Sequence, residues 1–452
     1  MSPKPPAQTR PVRRLYLASY PLPDWQIIGR WPARILRPNL AATDDRNAWN
    51  LYVEIFWSSV LGSAAAFNAV FAVRLGATNV HIGLLNSIPA LLAVLVTIPA
   101  GRFLERRAQR KGWVLGSLAI HRAGYALVAL MPWLPTAGLN LGAVVVALLI
   151  AMSIPVHFFG VGFNSMLADV IPEQRRAAVF ATRNIIGSGM ASLGVFLAGQ
   201  WLDHIAFPLN YQVMFMVGFL TSMLSLYYLL KIQVPDSPLA PPAVRLTRSL
   251  HDQRQTLRQA MRDNSEFVRI TVDTLLYGLG AWTASPLYIL YFVRALGASD
   301  AWIGLHGTIA NVSAITGYAL WRWLMGRWGE SKTLKRTVLG AGLYPLFVGL
   351  SPVLTPILFA AGLNGLIAPG INLSHFNTFL KVCPEARRPS YIGLYPTIMN
   401  AGAFICPLLG VALAEWFGLA PTLIGCGLFW LLGATAFRIW PVRVADTEMT
   451  TG

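Results

Sequence analysis

The feature that most restricts the fold of this chain is a series of about twelve apolar stretches, each close to twenty residues long. Two clear examples are "LGAVVVALLIAMSIPVHFFGVGF" at 141–163 and "TLIGCGLFWLLGATAFRIW" at 422–440. A helix of about 20 residues crosses the ~30 Å hydrocarbon core of a bilayer, and it pairs its backbone polar groups internally. The chain is therefore predicted to be an all-α polytopic membrane protein.

The composition agrees with this prediction. The chain is 55% hydrophobic and 12% charged, whereas a soluble protein carries roughly a quarter charged residues. The fifth and eleventh stretches are expected to be weaker than the two examples above, because Gly, Asn and Pro interrupt them. The twelve predicted spans lie near 48–72, 80–101, 113–133, 141–165, 179–202, 211–231, 267–293, 302–325, 336–353, 355–376, 391–417 and 420–440.

The net charge of +17 is distributed unevenly along the chain. Lys and Arg collect in the loops after the even-numbered spans, as in "GRFLERRAQRK" and "PEQRR", while the intervening loops are nearly bare. Positive loops stay on the cytoplasmic side of a membrane, so we expect a multi-pass protein of the cell membrane with both termini in the cytoplasm. A nucleic-acid partner is not expected, because its basic surface would be continuous and interleaved with exposed aromatic residues.

These boundaries divide the chain into five segments. A basic N-terminal segment, 1–46, either lies on the anionic inner leaflet or forms a disordered tail. Two six-helix halves are expected at 47–231 and 267–441. The cytoplasmic linker at 232–266 is predicted to contain an amphipathic helix, and 442–452 is a cytoplasmic tail.

Two signals recur in the same order in both halves. "VRLGATNVHIGLLNS" at 73–87 matches "VRALGASDAWIGLHGT" at 293–308, so that Gly83 corresponds to Gly304. "FNSMLADVIPEQRR" at 163–176 matches "FNTFLKVCPEARR" at 376–388. Ordered recurrence indicates a structural repeat. Because six is an even number of spans, both halves insert with the same orientation, which predicts pseudo-symmetric halves about an axis along the membrane normal.

With these features the sequence resembles the major facilitator superfamily of secondary transporters. The loop signature of that family lies between helices two and three, and here it is matched by Gly101, Glu105, Arg106 and Arg110. Ala108 and Gln109 depart from the expected Gly and Arg. The copy after the eighth span keeps Arg327 but has lost the acidic residue. The resemblance implies a monomer that moves a small solute by alternating access.

The resemblance also implies a role for the charged cytoplasmic loops. In the family such loops clasp neighbouring helix ends and latch one of two conformations, which differ by a few kcal/mol. We expect Glu105, Arg106 and Asp169 to form the stronger latch here. The other residues matched to the signature are Gly101, Arg110 and Arg327.

Polar residues inside the predicted helices are candidates for function, since an intramembrane charge usually faces a cavity or a partner. Glu54 and Asp273 hold similar places in the first and seventh helices. Burial favours a neutral carboxylate, so Glu54 is the first candidate for a proton carrier, with Asp273 and His157 sharing the task. The alternative is a Glu54 that is paired near the inner headgroups.

The resemblance places helices one, four, seven and ten around a central cavity. It then implies that polar side chains of these helices line the cavity. Besides Glu54, Asp273 and His157, this set comprises Asn68, Asn164, Asn364, Asn372 and His375. The third helix is peripheral in that fold, so His121 and Arg122 are expected to be structural partners inside the membrane.

No nucleotide, cofactor or nucleophile motif occurs in the sequence, which argues against an enzyme or an ATP-driven pump. Three cysteines, an odd number, argue against a disulfide framework or a metal site. We therefore expect no cofactor and no metal. The predicted function is proton-coupled transport of a small solute that the sequence does not identify. The alternative is a non-transporting membrane scaffold that delivers pigments or assembles other proteins.

Overall fold

A computed structural model describes residues 42–134, 138–234, 262, 264–383 and 388–440. Most of the predicted N-terminal segment, the amphipathic linker helix and the C-terminal tail lie outside these residues.

The described residues form twelve long helices, and the first of them is interrupted at Ala66 and Phe67. They are α1 (Thr43–Ala65 and Asn68–Arg74), α2 (Asn79–Glu105), α3 (Lys111–Leu130), α4 (Leu141–Val170), α5 (Glu173–His204), α6 (Leu209–Lys231), α7 (Ser265–Leu290), α8 (Asp300–Trp328), α9 (Glu330–Leu350), α10 (Leu354–Val382), α11 (Arg388–Phe417) and α12 (Leu419–Ile439). The all-α polytopic prediction is confirmed.

Ten of these helices are long and apolar enough to cross a membrane. The other two are α8 and α9, which the sequence analysis did not single out as weak. The first two turns of α9 carry four charged residues, Glu330, Lys332, Lys335 and Arg336. In α8 the stretch 301–321 has no charged residue, and its hydropathy is lowered by glycines and by polar residues such as His306 and Asn311.

The helix packing repeats after six helices. In the first half α1 packs on α5 and α6, α2 packs on α4, and α3 packs on α4 and α6. The second half repeats every pair, with α7 on α11 and α12, α8 on α10, and α9 on α10 and α12. The halves meet through α5 with α8 and α2 with α11, and these two contacts are also exchanged by the repeat. The helices therefore form a pseudo-two-fold pair of bundles.

The recurring Leu-Gly-Ala sequence forms the same turn in both halves. Gly76 has φ +88° and Gly297 has φ +64°, a left-handed conformation that glycine adopts at little cost after a helix. The side chains of Thr78 and Ser299 then cap α2 and α8 by accepting a backbone hydrogen bond. The repeat seen in the sequence is thus a repeat of local structure.

The buried core differs between the two ends of the bundle. We call the end that holds the N-terminus of α1 and the charged loops the basic end, and the other the opposite end. At the opposite end one apolar cluster runs across both halves, from Phe71 and Phe215 to Leu287 and Val411. At the basic end the buried clusters are separate, one in the first half and others in the second. The halves are joined by apolar packing mainly at the opposite end.

Candidate functional site

A buried polar cluster lies inside the first half, where α1, α3, α5 and α6 meet. Its centre is Glu54, whose side chain is 2% exposed. One carboxylate oxygen accepts a hydrogen bond from Arg183 at 3.0 Å, and the other accepts one from the Ser225 hydroxyl at 3.1 Å. Arg122 lies 3.8 Å from the second oxygen. The carboxylate is therefore held by two cations and a hydroxyl.

Arg122 is buried as deeply as Glu54 and is tied mainly to α6. It donates hydrogen bonds to the backbone oxygen of Ser222 and, at 2.8 Å, to the hydroxyl of Ser225. Buried charges need such partners, because an unpaired one loses its hydration without compensation. Arg122 thus connects α3 to α6 and stands beside the carboxylate of α1.

Asp273 has very different surroundings from Glu54, although the repeat relates the two positions. It is fully buried in α7. Neither of its carboxylate oxygens has a hydrogen-bond partner among the described residues. The positive charges that act on it are those of Arg269 and Lys335. Among the described residues, Asp273 therefore has none of the hydrogen bonds that hold the Glu54 carboxylate.

A second polar group lies beside Asp273. The next residue in α7, Thr274, lies 3.0 Å from the imidazole Nε2 of His375 in α10, and the hydroxyl of Tyr395 in α11 lies 2.7 Å from the same nitrogen. The three side chains connect α7, α10 and α11. Asp273 and His375 were both predicted to line the cavity. In the structure His375 contacts Thr274, the residue next to Asp273 in α7.

The other candidate residues are dispersed. His157 bonds to the backbone oxygen of Pro89 at 3.1 Å, and His121 bonds to that of Met152 at 3.0 Å, so both rings connect neighbouring helices of the first half. Asn68 donates to the Tyr125 hydroxyl at 3.1 Å. Asn164 and Asn372 are exposed and Asn364 is half-buried. His157 and Glu54 have no common hydrogen-bond partner among the described residues.

The halves are bonded to each other by polar side chains at the opposite end. Asp300 of α8 accepts hydrogen bonds from Arg74, with the closest atoms 2.9 Å apart, and from Tyr211 at 2.6 Å. Its backbone N–H donates to Asp203 of α5 at 2.9 Å. Arg294 of the second half also contacts Asn79 and the backbone oxygen of Ala77. Residues of three first-half helices therefore converge on Asp300.

At the basic end, three polar contacts each join segments of a single half. Asn47 bonds to the backbone of Gln233 in the first half, and Lys381 pairs with Glu330 in the second. Arg175 of α5 pairs with Asp45 of α1. These contacts hold each half together, and the buried apolar clusters at this end also belong to one half each.

The predicted latch residues lie at this basic end. Glu105 and Arg106 are exposed, as is Asp169 in the last turn of α4, and Glu105 forms no ion pair with another described residue. Arg110 donates to the backbone oxygen of Arg107, and Arg327 lies 3.9 Å from the ring centre of Trp323. Gly101 is half-buried and near Val161. A latch between these residues remains a prediction.

Sequence reasoning missed Arg183 and the group around Asp300. Arg183 stands in an apolar run, "VFATRNIIGSG", where one intramembrane charge is itself a signal. Asp300 directly follows the repeated turn, where an acidic residue is common and does not stand out. Tyr211 and Asp203 lie near helix ends, where polar residues are common, so the sequence did not mark them as functional.

Two related six-helix halves, in which ten helices are long and apolar enough to cross a membrane, indicate a multi-pass membrane protein. The family model for the Major Facilitator Superfamily matches the chain twice, over residues 55–272 and 270–450. The chain belongs to this superfamily, a family of transporters rather than enzymes.

The individual relatives share at most about a quarter of their residues with this chain. A curated protein of Deinococcus radiodurans, whose name provisionally assigns sugar efflux to it, is 24% identical over 390 residues, covering 84% of this chain and 94% of that protein. Among solved structures, a POT family transporter with a bound peptide conjugate has a TM-score of 0.68 at 13% identity, covering 89% of this chain and 97% of that one. The nucleoside transporter NupG has a TM-score of 0.62 at 13% identity, covering 87% of this chain and 98% of that one. These likenesses are of fold.

Proposed function

We propose that the protein is a secondary active transporter that moves a small solute by alternating access and is driven by protons. The observation that carries the proposal is the difference between the two ends: one apolar core and the Asp300 bonds join the halves at the opposite end, while the basic end has separate cores. Two bundles joined at one end can exchange that junction for one at the other end by rocking.

With the orientation that the loop charges predict, this conformation is open to the cytoplasm. The relatives support a small organic solute, because their names refer to sugars, peptides and nucleosides. Cysteines placed at Gln109 and at Leu139 test the orientation. An impermeant maleimide added to intact cells should label only the Leu139→Cys variant, and labelling of Gln109→Cys from outside would reverse the assignment.

For proton coupling the contacts favour Asp273 over Glu54. An ion pair with Arg183 and a hydrogen bond from Ser225 must break before Glu54 can act as a carrier. Asp273 has no such bond to lose among the described residues. We therefore assign proton exchange to Asp273 and a structural role to Glu54.

The test is uptake of radiolabelled sugars, peptides and nucleosides by purified protein in liposomes under an imposed pH gradient. Asp273→Asn should abolish gradient-driven accumulation and spare substrate exchange, which needs no net proton movement. Glu330→Gln, which alters an ion pair at the basic end, is the matched control and should retain both activities. Accumulation that survives Asp273→Asn removes this residue from the mechanism. If the purified protein neither binds nor transports any of these solutes, the result supports the alternative function, a non-transporting membrane scaffold.

A further inference from the structure

The polar cluster of the first half has one more positive than negative charge. It contains two arginines, Arg122 and Arg183, around the single carboxylate of Glu54. Asp45, the nearest acidic residue on the same helix, is already paired with Arg175. An uncompensated charge inside a membrane is costly, so a group that supplies the missing negative charge would be bound favourably.

Of the two arginines, only Arg183 is accessible. Arg122 is 2% exposed and its guanidinium is occupied by Ser222, Ser225 and Glu54. The side chain of Arg183 keeps 18% of its surface exposed. Its Nε is buried and has no hydrogen-bond partner among the described residues. One guanidinium edge is thus committed to Glu54, and donors remain for another acceptor.

The guanidinium is also fixed in position. Glu54 holds it from α1, and the ring of Phe163 in α4 lies 5.0 Å from its central carbon. An arginine that is held on one side by a carboxylate and on a face by an aromatic ring presents its remaining donors in a defined direction. Planar donors of this kind suit carboxylate and phosphate oxygens.

The position along α5 places this group on the side that opens. The contact between α5 and α8 runs from Ser192, whose backbone oxygen accepts a bond from Thr308, to Gly199. Arg183 lies nine residues nearer the basic end, about 14 Å along the helix at 1.5 Å per residue. A solute entering from the basic end would therefore reach Arg183 before it met the junction between the halves.

We propose that Arg183 binds an anionic group of the transported solute, a carboxylate or a phosphate, and that the substrate is an organic anion. The inference rests on the proposed transport function for its biological meaning, but the site itself is defined by binding. Glu54 and Arg122 position the guanidinium. Arg183 supplies the charge and the hydrogen-bond donors that the anion meets.

The test measures thermal stabilisation of the purified protein by matched pairs of small molecules: benzoate against benzamide, and glucuronate or glucose 6-phosphate against glucose. We expect the anions to stabilise the protein and the neutral partners to do so weakly or not at all. Arg183→Gln should weaken anion affinity about 10-fold or more, the loss expected for a hydrogen bond to a charged group. Equal effects of charged and neutral partners, or unchanged anion affinity in Arg183→Gln, would overturn the proposal.

Two further variants serve as controls for the effect of Arg183→Gln. Arg175→Gln changes an arginine two turns earlier on the same helix and should keep anion binding. Arg183→Lys keeps the positive charge that pairs with Glu54. It should bind anions several-fold more weakly than the native protein, because a single ammonium group cannot bind Glu54 and a ligand equally well. Unchanged anion binding in this variant counts against the site. Anion binding without uptake in liposomes refutes transport and leaves the site, whereas uptake of a neutral solute that Arg183→Gln does not alter refutes the site and leaves transport.

Discussion

Asp300 of α8 accepts hydrogen bonds from Arg74 Nε at the end of α1, at 3.2 Å, and from Tyr211 of α6, at 2.6 Å. A single carboxylate of the second half thus joins two helices of the first. It is buried, while Arg74 keeps 31% of its side-chain surface exposed. The pair is partly desolvated, so removing one partner costs more than it would at the surface, because the other charge is left uncompensated.

Asp300→Asn should therefore weaken closure at the opposite end. A hydrogen bond to a charged group contributes about 1.5–3 kcal/mol, so its loss should shift the conformational equilibrium about 10-fold or more toward opening there. The measurement is the rate at which an impermeant maleimide labels Val195→Cys, a buried position in the contact between α5 and α8. Asp45→Asn, which removes an ion pair confined to the first half, should leave this rate unchanged. An unchanged rate in Asp300→Asn would show that the carboxylate does not hold this end closed.

The contact between α5 and α8 also depends on two glycines. A Cβ at Gly199 would lie 2.7 Å from the backbone oxygen of Asp300, and one at Gly304 would lie 2.8 Å from that of Val195. Both approaches are too close for a methyl group, and the neighbours are backbone atoms that cannot turn aside. Gly304→Ala should therefore push the halves apart at the opposite end and raise labelling of Val195→Cys. A Cβ at Gly189 on α5 would have no atom within 4 Å, so Gly189→Ala should not raise labelling. Equal labelling of Val195→Cys in the two variants would show that close packing at Gly304 does not hold the halves together.

Glu54 and Asp273 should differ in their contributions to stability. Glu54→Gln leaves Arg183 and Arg122 without their carboxylate, and breaking a buried ion pair costs about 3 kcal/mol or more. Asp273→Asn removes no hydrogen bond between described residues. We expect Glu54→Gln to lower the melting temperature by several degrees and Asp273→Asn to leave it unchanged or raise it. The reverse order of melting temperatures would contradict the assigned roles.

The latch predicted at the basic end leads to a prediction about the conformation in which that end is closed. Glu105 is exposed and forms no ion pair with a described residue in this conformation. Glu105→Gln should therefore not change the melting temperature of this state. If Glu105 latches the closed state, the variant should reduce the fraction of protein that opens at the opposite end, measured by slower labelling of Val195→Cys. Glu415→Gln, which alters an acidic residue at the end of α11, is the control; faster or unchanged labelling in Glu105→Gln argues against a latch.

Much of the architecture followed from local patterns in the chain. Apolar runs of membrane length, the alternation of basic loops and the repeated Leu-Gly-Ala turn predicted twelve helices in two related halves. These signals are local, because crossing a bilayer and turning after a helix depend on neighbouring residues only. The low hydropathy of α8 and α9 was not anticipated, because both stretches are interrupted by polar residues without losing their overall apolar character.

The pairing of buried charges was decided by the tertiary structure. Glu54 and Asp273 occupy related positions in the sequence, and yet one is held by arginines of α3 and α5 while the other has no hydrogen-bond partner among the described residues. Asp300 meets Arg74 across 226 residues of chain. Which side chains face one another depends on the rotation and contact of helices far apart in sequence, and hydropathy carries no information about either. The sequence by itself therefore determined the helices and their order, and helix packing alone selected the partners of their charges.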